Sequence, residues 1–303
     1  MRWIAQRKWL CALALTAMLA ACAQPSRTLA PTAESLAQAL ARQPVVLLGE
    51  VHDSVVQHAL RVQALRLLVQ RGARPAFAFE QFDRDRQPAL DRARADRSGD
   101  IGARVDRLIA AAGERGWQWD LYRPYLALAL EQDLPIVAAN LSHDQAMRIA
   151  QEGLGAVFDK SQRAELELEQ IDPELQRLQE REIEAGHCGK VPREALPDMA
   201  RAQIARDALL AESILPYREG GVVLLTGNGH ARRDIGVVRH LPAKVREKTV
   251  AVGLLEDDER VDALTRAFDY VLVTPVQARP DPCASLGTMH GRPPAVSSPA
   301  PAQ

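Results

Sequence analysis

The stretch VVLLGEVH, residues 45–52, decides how the chain is to be read. Its four successive apolar residues are too few for a helix and do not alternate with polar ones, so they suit a strand buried on both faces. The run ends in a glycine followed by Glu50 and His52. These are two residues apart and therefore on one side of an extended segment. VVLLTGNGH, residues 222–230, repeats the pattern: the same apolar quartet, a glycine-bearing turn, then His230.

Further strand-sized apolar runs lie at residues 76–79, 136–139, 250–254 and 270–273. Helical patterns separate them. In residues 54–71, Val55, Ala59, Val62, Leu65 and Val69 recur at helical spacing and Gly72 is a natural stop; residues 101–113, 122–131 and 198–215 read similarly. Strand–helix alternation predicts an α/β fold with a mostly parallel sheet flanked by helices. Residues 159–187 depart from the alternation. They are dense in Glu, Gln and Arg and read as one or two solvated helices, broken near Asp172-Pro173. This charged insertion lies over the carboxyl-end rim, either as an exposed cap or as a lid or dimer-forming arm.

The ends of the chain read differently. Residues 1–21 carry Arg2, Arg7 and Lys8 and then an apolar run shorter than a membrane span, the pattern of an export signal. It ends in Leu19-Ala20-Ala21-Cys22, which resembles a bacterial lipobox, with Cys22 the lipidated residue. Residues 22–34 read as a linker from that anchor, residues 35–275 as a single domain, and residues 276–303 as a largely disordered Pro/Ala-rich tail, of which the segment around Asp281-Pro282-Cys283 packs if Cys283 is in a disulfide. The expected location is the outer membrane, facing the periplasm. Of the four cysteines, Cys11 leaves with the signal and Cys22 takes lipid. Cys188 and Cys283 then remain to pair in an oxidising compartment, the alternative being Cys188 as a ligand.

Across the 303 residues, 38 basic residues face 39 acidic ones, so no nucleic-acid partner is expected. The 4% aromatic content argues against a base-stacking platform or a carbohydrate cleft. The chemistry gathers instead at the ends of the strands, where Glu50, His52, Glu80, Asn140 and His230 follow four separate apolar runs. Parallel sheets bind ligands outside their carboxyl ends. Two imidazoles with two carboxylates suit a divalent metal such as Zn or Mn, or a general base held by acids. In the metal reading Glu50, His52, Glu80 and His230 hold the ion and act as a hydrolase. Arg206 and Asp207, with Gln203 a turn earlier, either pair with one another or support this rim from behind.

GEVH, FAFEQF, LPIVAANLSHDQ, GHCGKVP, MARAQIARDA and LLTGNGHARRDIGVVRHL follow in that order between residues 43 and 255. Together they resemble the ChaN haem-binding lipoprotein family, part of a wider group with Tiki, TraB and the erythromycin esterases. The resemblance implies haem binding in iron acquisition at the bacterial outer membrane, and a homodimer holding haem between protomers. In the wider group the matching turns, here Glu50, His52 and His230 with Glu80 as a further acid, carry metal-assisted or His-based hydrolysis.

Haem takes His, Met, Cys or Tyr as axial ligand. The candidates off the rim are His187, Met199, Tyr122, Tyr125 and Tyr217. His187 is preferred, against an equal reading of it as a capping residue beside a disulfide. Tyr217, Arg232 and Asn140 complete the expected haem-contacting set, with Arg232 and Arg233 placed to bind a propionate. Trp117, Trp119, Tyr122 and Tyr125 read as core first and as a haem wall second; His58, His240 and His290 read as structural or surface residues. Three functions follow: a haem-binding lipoprotein, a metal-dependent hydrolase, or a non-catalytic surface scaffold.

Overall fold

The computed structural model describes residues 26–41, 43–112, 116–258 and 261–285. The expected export signal, the lipidated Cys22, His290 and the chain beyond residue 285 lie outside the described residues. Each apolar run is a strand: β2 Val45–Leu48, β3 Ala76–Asp83, β4 Ile136–Asn140, β5 Val222–Leu225, β6 Thr249–Glu256 and β7 Tyr270–Thr274. They form one sheet with β1 Arg27–Leu29, in the order β1-β7-β6-β2-β5-β3-β4, every pair parallel. β1 occupies part of the stretch expected to be a linker. Three residues are enough because β7 offers an open edge, and Arg27 to Leu29 align with Tyr270 to Leu272.

The absence of alternation in the strands has its cause in layers on both faces. Val46, Leu48, Phe77, Phe79, Val223 and Leu225 point into one core, beneath helices α1 Ala33–Leu40, α2 Val55–Gln70, α3 Gln87–Ala95, α4 Ile101–Ala110 and α5 Trp119–Glu131. Val45, Leu47, Ala76, Ala78, Val222 and Leu224 point into the other. There they meet Leu210, Ala211 and Ile214 of the helix Leu196–Ile214, here α9 after α6 His143–Glu152, α7 Lys160–Glu165 and α8 Pro173–Gly186.

Two expectations about helix faces are corrected. In α2 the stripe assigned to the core includes Val55 and Ala59, yet Val55 is 58% exposed and Ala59 is also outward. Val62, Leu65 and Val69 are buried as expected, but Gln57, His58 and Arg61 share the buried face in place of Val55 and Ala59, because they build a polar cluster beneath the helix. The charged insertion is also less solvated than its composition suggests. It divides at Asp172-Pro173 into α7 and α8, and Asp172 caps α8 through Glu174 N at 2.9 Å. Leu166, Leu168 and Leu175 are buried with Ala205, Ala208 and Leu209 of α9 in a third core.

Cys188, just after α8, and Cys283 are joined by a disulfide. Residues 276–285 open the tail expected to be largely disordered; around Asp281-Pro282-Cys283 they pack, as expected with the disulfide formed, and they run back across the rim as a strap. Gln277 donates to Asp53 O at 2.6 Å and accepts from Val55 N at 2.9 Å. Arg279 forks onto both oxygens of Asp53 and both of Glu256 at 2.6–3.0 Å. Among the described residues no helix is long and apolar enough to cross a membrane.

Candidate functional site

The strand β2 ends at Leu48, and Gly49 N continues its ladder by donating to Val252 O at 2.8 Å. A Cβ at Gly49 would lie 2.4 Å from Asn228 Oδ1, so a glycine is required where the β2 and β5 turns meet. That turn aims Glu50 inward, where it is 2% exposed. Its Oε1 accepts from Tyr122 OH at 2.5 Å and lies 3.0 Å from His52 Nδ1. Its Oε2 is in an ion pair with fully buried Arg61, which also donates to Leu48 O at 2.9 Å. His58 lies under this pair, with Nε2 3.0 Å from His52 O and Nδ1 3.2 Å from Tyr125 OH. Burial, assisted by the charge of His52, lowers its pKa from 6.5 to about 4.

A second carboxylate–imidazole pair faces the first across the β5 turn. Glu80 Oε2 accepts from Thr226 Oγ1 at 2.6 Å and Gly227 N at 2.8 Å. Burial alone would raise its pKa. His230 and His52 outweigh that, with the Thr226 and Gly227 hydrogen bonds, and hold it at about 2. His230 Nδ1 is 2.6 Å from Asp207 Oδ1, and its Nε2 lies 3.1 Å from the Gln203 amide and 3.5 Å from Glu80 Oε1. Burial pulls the His230 pKa down, but Glu80 and Asp207 together raise it above the ordinary value. The insertion completes this second pair: Gln179 of α8 donates to Asp207 Oδ2 at 3.1 Å and to Ile235 O at 3.0 Å.

Both imidazoles line one cavity of about 470 Å³ at the carboxyl ends of β2, β5 and β6, where parallel sheets take ligands. Its floor holds Glu50, His52, Gln203 and His230, and an apolar side is made by Leu255, Val261, Leu264 and Val276. Arg232 and Arg279 stand in its wall. Arg232 is held by Glu182 at 2.6 Å and Asp234 at 2.7 Å, which keep it charged despite partial burial. His230 is buried, whereas the His52 side chain is 45% exposed. The ring of His52 meets Trp117 edge-on with centroids 5.0 Å apart. Trp117 Nε1 is itself a buried donor with no hydrogen-bond partner among the described residues.

Glu50, His52, Glu80 and His230 thus come together as expected from their strand ends, with Asp207 and Gln203 behind them. They do not form the expected Zn or Mn site. Among the described residues no group of three or more His, Cys, Asp or Glu is arranged to hold a metal ion. The oxygens that would bind one are engaged by Arg61, Tyr122, Thr226 and Gly227, so the four pair off two by two.

The residues expected to hold haem are scattered. Tyr217 precedes β5, at the opposite end of the sheet from the cavity. Asn140 is buried at the end of β4 and does not line the cavity. His187 closes α8, its Nδ1 2.8 Å from Ile183 O. Tyr122 and Tyr125 are fully buried, and Met199 is half-buried one turn before Gln203 on α9. Sequence reasoning missed Arg61, Gln179 and Arg279 as site residues. A signal did exist for Arg61: it falls four residues after Gln57 and three after His58, so the three share one face of the helix.

The family model described as haem-binding uptake, Tiki superfamily, ChaN matches residues 36–241. Among solved structures, one titled for cofacial haem binding to ChaN of Campylobacter jejuni is similar over 78% of this chain and 90% of that one, with a TM-score of 0.62 and 22% identity. The type III effector HopBA1 aligns over 84% of this chain and 97% of its own, at 15% identity and a TM-score of 0.45. An erythromycin esterase mutant, EreC, aligns over 74% and 72% at 14% identity and a TM-score of 0.42. No curated protein matches the chain.

Proposed function

Because the chain belongs to the ChaN family of haem-binding uptake proteins in the Tiki superfamily, we propose that it binds haem in the rim cavity and delivers it for iron uptake as a dimeric lipoprotein of the outer membrane. The observation that carries the site is the cavity itself. It joins an apolar side to a floor bearing one half-exposed imidazole, and has two arginines in its wall. The lining meets haem in part: its apolar side suits a macrocycle, while Glu182, Glu256 and Asp258 also line the cavity and both arginines are already ion-paired, Arg232 with Glu182 and Asp234 and Arg279 with Asp53 and Glu256. Leu255, Val261, Leu264 and Val276 would pack the macrocycle, and Arg232 or Arg279 would meet a propionate by exchanging it for a carboxylate that it now holds.

The anchor is carried by the Leu19-Ala20-Ala21-Cys22 motif. Two experiments test the reading. Haemin titrated into the full-length chain in detergent is expected to give a saturable, shifted Soret band; a band indistinguishable from haemin in detergent alone would end the haem reading. Radiolabelled palmitate is expected to enter the wild-type chain and not Cys22→Ser, and label in both would remove the anchor.

A second reading is favoured by one observation: two imidazoles, each held on a buried carboxylate, line one cavity. His230 as acid and His52 as base would support proton transfer in hydrolysis without a metal. A chromogenic ester turned over by the wild type, insensitive to chelator and lost in His230→Gln, would support it; turnover unchanged in that variant would not.

A further inference from the structure

We infer that the amino-end face of the sheet is a docking surface for anionic phospholipid headgroups, so that the rim cavity opens away from the membrane; the inference rests on the Cys22 anchor proposed above. All the strands are parallel, so their first residues share one end of the molecule and the cavity lies at the other. The anchor reaches the first of these ends. Ser26 Oγ lies 2.6 Å from both Thr265 O and Phe268 O, which pins the start of β1 beside the start of β7. Cys22 stands four residues earlier, and four residues of chain span no more than about 14 Å when fully extended. An acylated Cys22 therefore holds that face close against the headgroups.

The charge of the face suits that neighbour. Across the sheet from the anchored edge, Arg27 opens β1, Arg266 precedes β7, Lys244 and Lys248 precede β6, Arg218 precedes β5 and Arg71 precedes β3, all of them exposed. Among the described residues Arg27, Arg71, Lys244, Lys248 and Arg266 make no ion pair. The exposed acids of this face are fewer. Glu219 is met by Arg218 at 3.5 Å, and Glu247 lies between Arg246 and Lys248. Glu131 and Asp133 come just before β4, on the edge farthest from the anchor, where Arg94 and Arg97 hold Asp133 at 3.0 and 3.1 Å. Helix C-termini favour cations and account for Arg71, which follows α2 directly. They do not account for Lys248 or Arg266, which follow helices of only four and five residues, nor for Arg27, which opens an edge strand. The rim has the opposite sign: in the cavity lining Glu50, Glu182, Glu256 and Asp258 outnumber Arg232 and Arg279. A chain of net charge -1 thus separates its charges along the strands, and an anionic bilayer attracts one end and repels the other.

The test uses the full-length lipidated chain in vesicles of phosphatidylcholine and phosphatidylglycerol. A nitroxide is attached at Ala243→Cys on the amino-end face or at Val55→Cys beside the rim, both exposed positions. A nickel chelate fixed to a lipid headgroup then relaxes whichever label lies near the bilayer. The label at 243 is expected to be relaxed severalfold more than the label at 55. That contrast is expected to collapse at about 1 M salt, where the screening length is about 3 Å, and in vesicles of phosphatidylcholine alone. It is expected to collapse also when Lys244→Glu, Lys248→Glu and Arg266→Glu are combined, while the acyl chains keep every variant on the vesicle. Equal relaxation at the two positions in the otherwise unaltered chain, or a contrast that survives the three reversals, overturns the docking face. A wild-type chain that leaves the vesicles in high salt has no lipid anchor, which ends the lipoprotein reading and this inference with it.

Discussion

Glu50 and Glu80 follow apolar runs on either side of β5 in the sheet and are both buried, but their partners give them different roles. Glu50 is matched by a buried guanidinium and a phenol and orients His52, while Glu80 takes two hydrogen bonds from the β5 turn and confers charge on His230. The spacing of Glu50 and His52 was legible because an extended segment repeats every two residues. The layer beneath them was not, because Arg61, His58 and Tyr122 come from α2 and α5, and no local pattern says which strand a helix covers. His58, read as structural or surface, makes a measurable prediction. Its folded pKa, about 4, lies below the ordinary 6.5, so on acidification the unfolded chain takes the proton first. Its contribution is complete above about pH 6.5 and is lost as the pH falls towards 4, about 3 kcal/mol in full. His230 has the opposite sign: its pKa is raised, so its contribution is complete below 6.5 and is lost as the pH climbs through the folded value. Urea midpoints taken from pH 7.5 to 4 are expected to fall in the wild type and to fall less in His58→Gln. An equally steep acid limb in both would assign it to another group.

At the scale of elements, α8 and α9 show how an insertion became part of the site. Composition marked residues 159–187 as exposed, and the outer face of α8 is indeed charged. Its inner face, however, buries Leu175 and Gln179. Gln179 is 2% exposed and spends both hydrogens of its amide nitrogen, one on Asp207 and one on Ile235 O. The helix is thereby wired to His230 through one carboxylate. A polar residue on the inner face of a charged helix leaves no trace in periodicity, so this link was not readable. Replacing Gln179 by Ala strips a buried carboxylate oxygen of its donor and is expected to cost about 1–3 kcal/mol of stability. Without that donor Asp207 pulls harder on the His230 proton, so the His230 pKa followed by NMR is expected to rise further. Gln179→Glu, placing a second carboxylate beside Asp207, is expected to destabilise more than Gln179→Ala. A Gln179→Ala chain with wild-type stability and an unmoved His230 titration would show that α8 only covers the pair.

The whole molecule is closed by contacts far apart in sequence, and here the sequence was least readable. Six strands could be found because each is a continuous apolar run, yet a run buried on both faces carries no mark of its neighbour. The placement of β2 between β5 and β6, which brings Glu50 and His230 to one cavity, follows from the crossovers rather than from any motif. The strap is a similar case. Its Pro-rich composition reads as disorder and only the Cys188–Cys283 pairing pointed to packing, whereas Arg279 and Gln277, with no sequence signal, also tie it to Asp53, α2 and β6. The disulfide spans 95 residues, and chain entropy alone assigns such a loop about 4–5 kcal/mol. The Arg279 fork onto Asp53 and Glu256 acts upstream of it and survives reduction, so the two ties separate experimentally. Cys188→Ser with Cys283→Ser is expected to lower the urea midpoint while leaving amide exchange slow at Gln277, because the fork still holds that part of the strap. Adding Arg279→Ala is expected to release it, with fast exchange at Gln277 and faster haem dissociation, since Val276 and Arg279 line the cavity. Fast exchange at Gln277 on loss of the disulfide alone would make the covalent bond, and not the ion pairs, the element that closes the cavity wall.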